Sequence, residues 1–217
     1  MAGHRHDGLA YELTAPQGEP RGGVVVLHGA GSRKENHRDF AWRCAAAGLA
    51  AIVFDQRGHG ASQGALDGRA HEDVAAMASL LPGDVPLFLR GSSMGGFVAL
   101  AAAARTRAAG VVAICPAGRD GLLGALRRQR ADFRADDAAL EPLIAAQDVA
   151  TAARALGPRL LLVHAEGDDN VPISHSRSLH EAAPGSRLIA VPGGDHRSAQ
   201  HDPALQAEAV AFLVGLT

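Results

Sequence analysis

The sequence has few of the residues that build covalent or metal-held scaffolds. Only two of its 217 residues are cysteine, Cys44 and Cys115, and they form neither a disulfide framework nor the paired spacing of a zinc site. We expect both to be small buried side chains, Cys44 in a helix and Cys115 at the end of a strand. The cysteine content therefore predicts no metal site.

Long apolar runs and an excess of positive charge are also missing. No stretch is apolar over the length that spans a bilayer, and residues 1–8 are polar and lack the hydrophobic region of a signal peptide. The formal net charge is −2, and Lys34 is the only lysine, so nothing indicates binding to nucleic acid or to an anionic membrane surface. We therefore expect a cytoplasmic protein with neither partner.

What the chain does contain is a regular alternation of apolar segments and helix-like segments. Its length allows one domain with a substantial core, and no seam for a second is visible, so residues 1–217 are expected to form a single domain. The segment 9–14 predicts an antiparallel strand that covers a sheet edge. Beyond it the predicted strands cover 23–28, 50–54, 86–90, 111–115, 159–164 and 187–191, and the predicted helices cover 36–47, 71–81, 95–106, 148–156, 175–183 and 203–215. This order predicts an α/β fold with a mostly parallel sheet between helices.

A serine stands at the sharpest turn that the sequence predicts. The apolar segment 87–89 leads into the pattern Gly91-Ser-Ser93-Met-Gly95, and an alanine-rich helical segment follows. A serine between a strand and a helix in this way projects its hydroxyl from the top of the sheet. The glycines are needed because a side chain at either position would collide with neighbouring backbone. We infer that Ser93 is a nucleophile; the alternative is a helix cap.

Other reactive residue types follow the ends of other predicted strands. The segment 28–31 (His-Gly-Ala-Gly) comes after the first parallel strand, Asp168 and Asp169 come after the fifth, and His196 comes after the last. Open parallel sheets place their ligand crevices at the carboxyl ends of the strands. These residues are therefore expected to converge on one crevice.

Together these segments resemble the α/β-hydrolase superfamily, in which the catalytic residues occur in the chain order serine, acid, histidine. The resemblance covers nearly the whole chain and is carried by five segments: 28–31, 55–62 (Asp-Gln-Arg-Gly-His-Gly-Ala-Ser), 91–95, the acid loop ending in Val171-Pro172, and 194–196 (Gly-Asp-His). It implies an α/β-hydrolase fold and a serine hydrolase that cleaves carboxylic esters of small molecules through an acyl-enzyme. It implies no metal and no organic cofactor.

The resemblance also implies a role for each reactive residue. His196 takes the proton from Ser93 and later returns it, a task that suits histidine because an ordinary imidazole exchanges its proton near neutral pH. The acid commonly stands four residues before the proline of its loop, which selects Asp168 over Asp169. The backbone N–H groups of Ala30 and Met94 are implied as the oxyanion-hole donors.

Other polar residues near these motifs are open to structural interpretations. We interpret the segment 57–60 (Arg-Gly-His-Gly) as a structural turn rather than a catalytic group. We interpret His28 in the same way, as a residue that anchors its loop rather than a second base. Arg90 stands where the resembling proteins place an apolar residue. We expect Arg90 either to pair with a carboxylate or to be exposed through a sheet-edge irregularity, where it could contact substrate.

The connection across about 119–146 is longer than a simple crossover and predicts two helices, with Leu122, Leu123 and Leu126 on one face. The resembling hydrolases insert a lid here, which implies a small helical lid; the alternative is a solvated helical pair packed on the sheet edge.

Several activities share this machinery. A thioesterase, an amidase or peptidase, or an acyltransferase would use the same triad, since fold and triad do not determine the leaving group. From another class, a non-catalytic binding protein on the same scaffold is the alternative.

Overall fold

An eight-stranded sheet lies at the centre of the computed structural model, which describes residues 4–127 and 133–217. The strand order is β1-β2-β4-β3-β5-β6-β7-β8. The strands are β1 (His4–His6), β2 (Leu9–Thr14), β3 (Gly23–Leu27), β4 (Ala50–Phe54), β5 (Leu87–Ser92), β6 (Gly110–Ile114), β7 (Leu160–Ala165) and β8 (Arg187–Val191). Every pairing from β4 to β8 is parallel, which confirms the predicted sheet.

Helices cover both faces of this sheet, and they account for the continuous apolar character of its strands. All residues of β3, β4 and β6 are buried, because parallel strands between helical layers contact apolar side chains on each side. The core accordingly divides into two apolar clusters, and alternate residues of one strand contribute to each. Val25 and Leu27, for example, lie in one cluster, whereas Val24 and Val26 lie in the other.

The helices begin and end close to the predicted positions. They are α1 (Arg38–Ala46), α2 (Ala70–Ala78), α3 (Met94–Thr106), α4 (Arg119–Arg127), α5 (Asp137–Ala146), α6 (Val149–Leu156), α7 (Ile173–Ala182), α8 (Ser198–His201) and α9 (Pro203–Val214). The single helical turn α8 was not predicted from the sequence, because four residues are too few to show a helical period. Within the described ranges, no helix has the length and apolar character needed to cross a bilayer.

One edge of the sheet differs from the expectation. The predicted strand β2 pairs antiparallel with β4, but it is not the edge, because β1 adds a further antiparallel strand outside it. The two are joined by a tight turn at Asp7 and Gly8, both with positive φ. An Asp-Gly pair between extended segments is a strong hairpin signal, and it was present in the sequence.

The long connection between β6 and α6 contains α4 and α5, and residues 128–132 of the predicted 119–146 insertion lie outside the described residues. After this gap the chain binds the loop that follows β4. The Leu66 N–H donates to the Arg134 carbonyl (2.8 Å), and the Arg134 N–H donates to the Gly58 carbonyl (3.1 Å). The insertion is thus attached to the carboxyl end of the sheet through backbone hydrogen bonds.

Candidate active site

Ser93 occupies a strained corner between β5 and α3. Its backbone has φ 54° and ψ −120°, a conformation that residues other than glycine rarely adopt and that recurs at functional sites. A Cβ on Gly91 would collide with the Gly95 carbonyl, and a Cβ on Gly95 would collide with the Leu27 carbonyl, so the expected steric role of both glycines is seen in the structure. The half-buried Ser93 side chain lines a cavity at this corner.

Asp168 follows β7 and has a fully buried carboxylate. Oδ1 accepts hydrogen bonds from the N–H groups of Asn170 (2.9 Å) and Val171 (2.8 Å). Burial opposes ionisation of this carboxyl, but the Val171 N–H and His196 outweigh it and hold the pKa of Asp168 below its ordinary value. Asp168 is therefore ionised at neutral pH.

His196 lies in the loop between β8 and α8 and contacts the second oxygen of Asp168. Its Nδ1 is 2.7 Å from Asp168 Oδ2, although 28 residues separate the two in sequence. An ionised carboxylate only accepts hydrogen bonds, so Nδ1 carries the proton and Nε2 keeps its lone pair. The imidazole is 17% exposed and lines the same cavity as Ser93. The structure thus brings Asp168 and His196 into contact and places His196 and Ser93 on one cavity.

The predicted backbone donors line that cavity too. Ala30 follows β3, and Met94 is the first residue of α3. A Cβ added at Gly29 would lie 3.2 Å from the Ser93 Cβ, which shows that the loop containing Ala30 lies directly against the serine. His28 anchors this loop, since its Nδ1 bonds the Gly29 carbonyl (2.8 Å) and its Nε2 accepts from the Gln56 N–H (3.0 Å). Burial lowers the pKa of His28 to about 4, so the anchor stays neutral.

The cavity has a volume of about 1360 Å³ and a largely apolar wall beside Ser93. Residues from α3, α4, α5 and α7 and from the segment before α5 form this wall. They include Phe97, Val98, Leu122, Phe133, Leu140 and Leu179. A cavity of this kind binds apolar parts of small molecules.

Two residues of the site were not identified from the sequence. His164, in β7, places Nε2 3.4 Å from Asp168 Oδ2. Cys115 follows β6, and its sulfur lies within 4.8 Å of ligand atoms of Asp168 and His196. Both residues end predicted strands, which is the signal that could have found them.

The donor set Cys115, Asp168 and His196 is compact enough for a metal ion, but its chemistry favours hydrogen bonding. Burial raises the pKa of the Cys115 thiol to about 12, so this group is an uncharged thiol beside the carboxylate. The carboxylate and the imidazole already bond each other at 2.7 Å. The three residues therefore fit a proton-transfer site better than a metal centre.

Arg90 corrects an expectation. It is fully buried in β5, has no bonded carboxylate among the residues described, and does not line the cavity. One guanidinium nitrogen lies 2.8 Å from His37 Nδ1, another donates to the Gln200 carbonyl (3.2 Å), and the group lies 4.9 Å from the centre of the Phe40 ring. Because β5 is a central strand, no edge irregularity can expose this side chain, and its hydrogen-bond partners are uncharged groups instead of a carboxylate.

The turn 57–60 is structural, as the sequence indicated. Arg57 donates to the carboxylate of Asp73 (2.9 Å), and His59 is buried and stacks on Phe133 with ring centres 4.2 Å apart. The competing acid Asp169 is exposed. His201, five residues after His196, is exposed at the end of α8.

Comparison with known proteins agrees with this architecture. A family model described as serine aminopeptidase, S33 (Hydrolase_4) matches residues 18–130, and a second, described as TAP-like protein (Abhydrolase_4), matches residues 141–217. The first covers just over half of the chain, and the chain belongs to this family of the α/β-hydrolase superfamily.

Individual relatives include lipases and esterases. The chain is 34% identical over 108 residues to a monoacylglycerol lipase of Mycolicibacterium smegmatis, and this match covers 45% of the chain and only 38% of that lipase. The structure of a monoacylglycerol lipase from Paleococcus ferrophilus superposes with a TM-score of 0.77 at 19% identity, over 96% of this chain and 99% of that one. A carboxylesterase structure from Nitrososphaera gargenis gives a TM-score of 0.78 at 16% identity, over 96% and 94%. At these identities the structures establish the α/β-hydrolase fold.

Proposed function

We propose that the protein is a serine hydrolase that cleaves carboxylic esters through an acyl-enzyme, with Ser93 as nucleophile, His196 as base and Asp168 as orienting acid. The observation that carries the proposal is the 2.7 Å contact between His196 Nδ1 and Asp168 Oδ2, which orients an imidazole that lines the same cavity as Ser93. This contact leaves Nε2 of His196 as the free base, which is the tautomer that a serine nucleophile needs.

The chemistry follows from these positions. In the first step Ser93 Oγ attacks the ester carbonyl carbon, and its proton passes to Nε2 of His196. The tetrahedral intermediate collapses when His196 returns that proton to the leaving alcohol, which leaves Ser93 acylated. A water molecule then attacks the acyl carbonyl carbon, again with His196 as base, and the acid leaves as Ser93 recovers its proton. Asp168 stabilises the imidazolium in both halves.

The oxyanion of each tetrahedral intermediate is proposed to accept hydrogen bonds from the N–H groups of Ala30 and Met94. Support comes from the contact of the Ala30 loop with Ser93 and from the position of Met94 at the first turn of α3, where N–H groups have no partner within the helix. Fixed donors of this kind each lower the barrier by roughly 3 kcal/mol.

The substrates are proposed to be small-molecule esters with an apolar acyl or alcohol part, which the wall of the 1360 Å³ cavity would hold. We further propose that residues 1–217 act as one domain and that α4 and α5 form a small lid. Leu122 and Leu126 of α4 and Leu140 and Leu143 of α5 line the cavity, which supports a role over the site rather than at a sheet edge.

Short p-nitrophenyl esters, assayed with the wild-type protein and Ser93→Ala, test the mechanism. Wild type should turn them over and become labelled by a fluorophosphonate probe, whereas the variant should lose both properties and keep its circular dichroism spectrum. Rates on an ester, a thioester and an anilide of one acyl chain then separate esterase from thioesterase and amidase. Full activity in Ser93→Ala would reject the mechanism, and an unlabelled, inactive wild type would favour the binding-protein alternative.

A further inference from the structure

A second histidine lies against the proposed catalytic acid, on the side away from the cavity. His164 is a fully buried residue of β7, four positions before Asp168, and the cavity wall does not include it. Its Nε2 lies 2.9 Å from the Val171 carbonyl oxygen and 3.4 Å from Asp168 Oδ2. Its Nδ1 lies 2.7 Å from the Ser176 hydroxyl, which belongs to α7.

These contacts determine where the proton of His164 resides. Both oxygens near Nε2 can only accept hydrogen bonds, so Nε2 must be the protonated nitrogen. Nδ1 then accepts from the Ser176 hydroxyl, which is buried and has its donor satisfied in this way. Burial also lowers the pKa of His164, so the ring stays neutral at working pH.

The neighbours of this ring explain why its neutral state matters. Asp168 faces it from the acid loop, His196 faces the same carboxylate from the loop after β8, and His175 lies nearby on α7. Cys115 approaches the carboxylate from the end of β6 as an uncharged thiol. Among Asp168, His164, His196 and Cys115, Asp168 is thus the negatively charged residue. Its Oδ2 contacts two imidazole rings, that of His196 at 2.7 Å and that of His164 at 3.4 Å.

We propose that His164 is a positioning residue for the proposed reaction: its Nε2–H donates to the Val171 carbonyl, which ties the acid loop to β7, and lies 3.4 Å from Asp168 Oδ2, and so sets both the orientation of the acid and the basicity of His196. The inference rests on the proposed function, because only in a catalytic triad does the orientation of Asp168 affect turnover. His164 contacts neither the cavity nor the reacting atoms.

Two effects follow from this arrangement. Loss of the N–H donor frees the acid loop on one side and leaves the Val171 carbonyl unpaired, so Asp168 holds His196 less firmly. It also removes the positive end of a bond dipole beside Oδ2. The potential at His196 then becomes more negative, which favours the imidazolium form of this residue.

The matched variants are His164→Leu, which removes the donor at similar volume, and His164→Gln, whose amide nitrogen can reach the position of Nε2. For ester turnover we expect kcat to fall roughly tenfold to a hundredfold in His164→Leu with KM little changed, because the buried Val171 carbonyl loses its donor and the acid loop loses a constraint. The His164→Gln variant should stay within a few fold of wild type. The acidic limb of the kcat/KM profile should move to higher pH in the leucine variant only.

A second readout does not depend on activity. The titration of His196 in histidine-labelled protein, followed by NMR and assigned with His196→Asn, should shift upward in His164→Leu and not in His164→Gln. If wild type cleaves no ester, the proposed function fails while this titration still tests the contact. Should His164→Leu not fold, Ser176→Ala removes the donor to Nδ1 and is expected to shift His196 in the same direction by less.

Two results would overturn the proposal. One is an unchanged kcat and an unchanged His196 titration in His164→Leu. The other is an equal loss of kcat in the leucine and glutamine variants with no change in titration, which would show that His164 only supports the fold.

Discussion

The two oxygens of Asp168 have different partners, and this difference separates Asp168 from its neighbour Asp169. Oδ1 is held by two backbone N–H groups of its own loop, and Oδ2 remains for His196. Asp169 is exposed and accepts from the side chain of Asn170 (3.1 Å). Only the first aspartate is therefore placed to orient an imidazole.

Exchange of each carboxylate for an amide tests this assignment. In Asp168→Asn the amide offers His196 a donor as well as an acceptor, so the imidazole can adopt the wrong tautomer, and kcat on a p-nitrophenyl ester should fall by about 10³-fold to 10⁴-fold. The matched variant Asp169→Asn should stay within a few fold of wild type. The reverse order of the two rates would transfer the acid to Asp169.

Among the elements, the loops that follow β3 and β4 depend on one buried ion pair. Lys34 stands in a 3₁₀ turn (Lys34–His37), and its Nζ lies 2.9 Å from Asp55 Oδ2. The backbone N–H groups of Lys34 and Ala61 also donate to this carboxylate. Asp55 thereby joins the loop before α1 to the loop after β4, next to the proposed oxyanion donor Ala30.

Removal of the Lys34 ammonium group should lower the stability of the protein, because the Asp55 carboxylate would then be buried without its ion-pair partner. In Lys34→Met the fully buried Asp55 side chain loses its only ion-pair partner among the described residues, and the free energy of unfolding should fall by about 3–5 kcal/mol. Glu35→Gln, which alters the partly exposed second partner of Lys34, should change stability by less than about 1 kcal/mol. Urea unfolding at neutral pH measures both, and equal effects would contradict the central place of Asp55.

Across the whole molecule, buried neutral histidines make stability depend on pH. Burial lowers the pKa of five histidines, to about 4 for His28 and well below the ordinary value for His37; the remaining three are His59, His164 and His175. Below pH 6.5 the unfolded chain binds protons at these residues and the folded chain does not. Each therefore removes about 1.4 kcal/mol of stability per unit of decreasing pH, until its folded pKa is reached.

One carboxyl acts in the opposite direction. Burial raises the pKa of Asp73 to about 6, so the folded protein binds a proton there between about pH 6 and 4 that the unfolded chain does not bind. Because five histidines oppose this one carboxyl, the unfolded chain binds more protons on balance, and the free energy of unfolding should fall from pH 7 to 5.

Urea unfolding at pH 7, 6 and 5 measures this dependence. His28→Gln should reduce the slope of this dependence by about one proton. A free energy of unfolding that stays constant or rises toward pH 5 would contradict the role of the buried histidines.

Much of the fold followed from local patterns. The six parallel strands, the elbow at Ser93 and the chain order of the site segments are all short-range signals, because strand burial, tight turns and helix starts depend on neighbouring residues. The short elements β1 and α8 were missed, since three or four residues carry little periodicity. Arg90 was misjudged, because nothing in its local sequence shows that His37 and the Gln200 carbonyl replace a carboxylate partner.

The sequence by itself determined the α/β-hydrolase fold and the residue types available at the end of each strand, because alternation and turn chemistry are written along the chain. Only the tertiary structure decided which of those residues touch. The contact of His196 with Asp168, the place of His164 behind it and the cavity beside Ser93 all depend on loops far apart in sequence that converge at one edge of the sheet. Side-chain pairing of this kind depends on distances in space, which no local pattern of residues specifies.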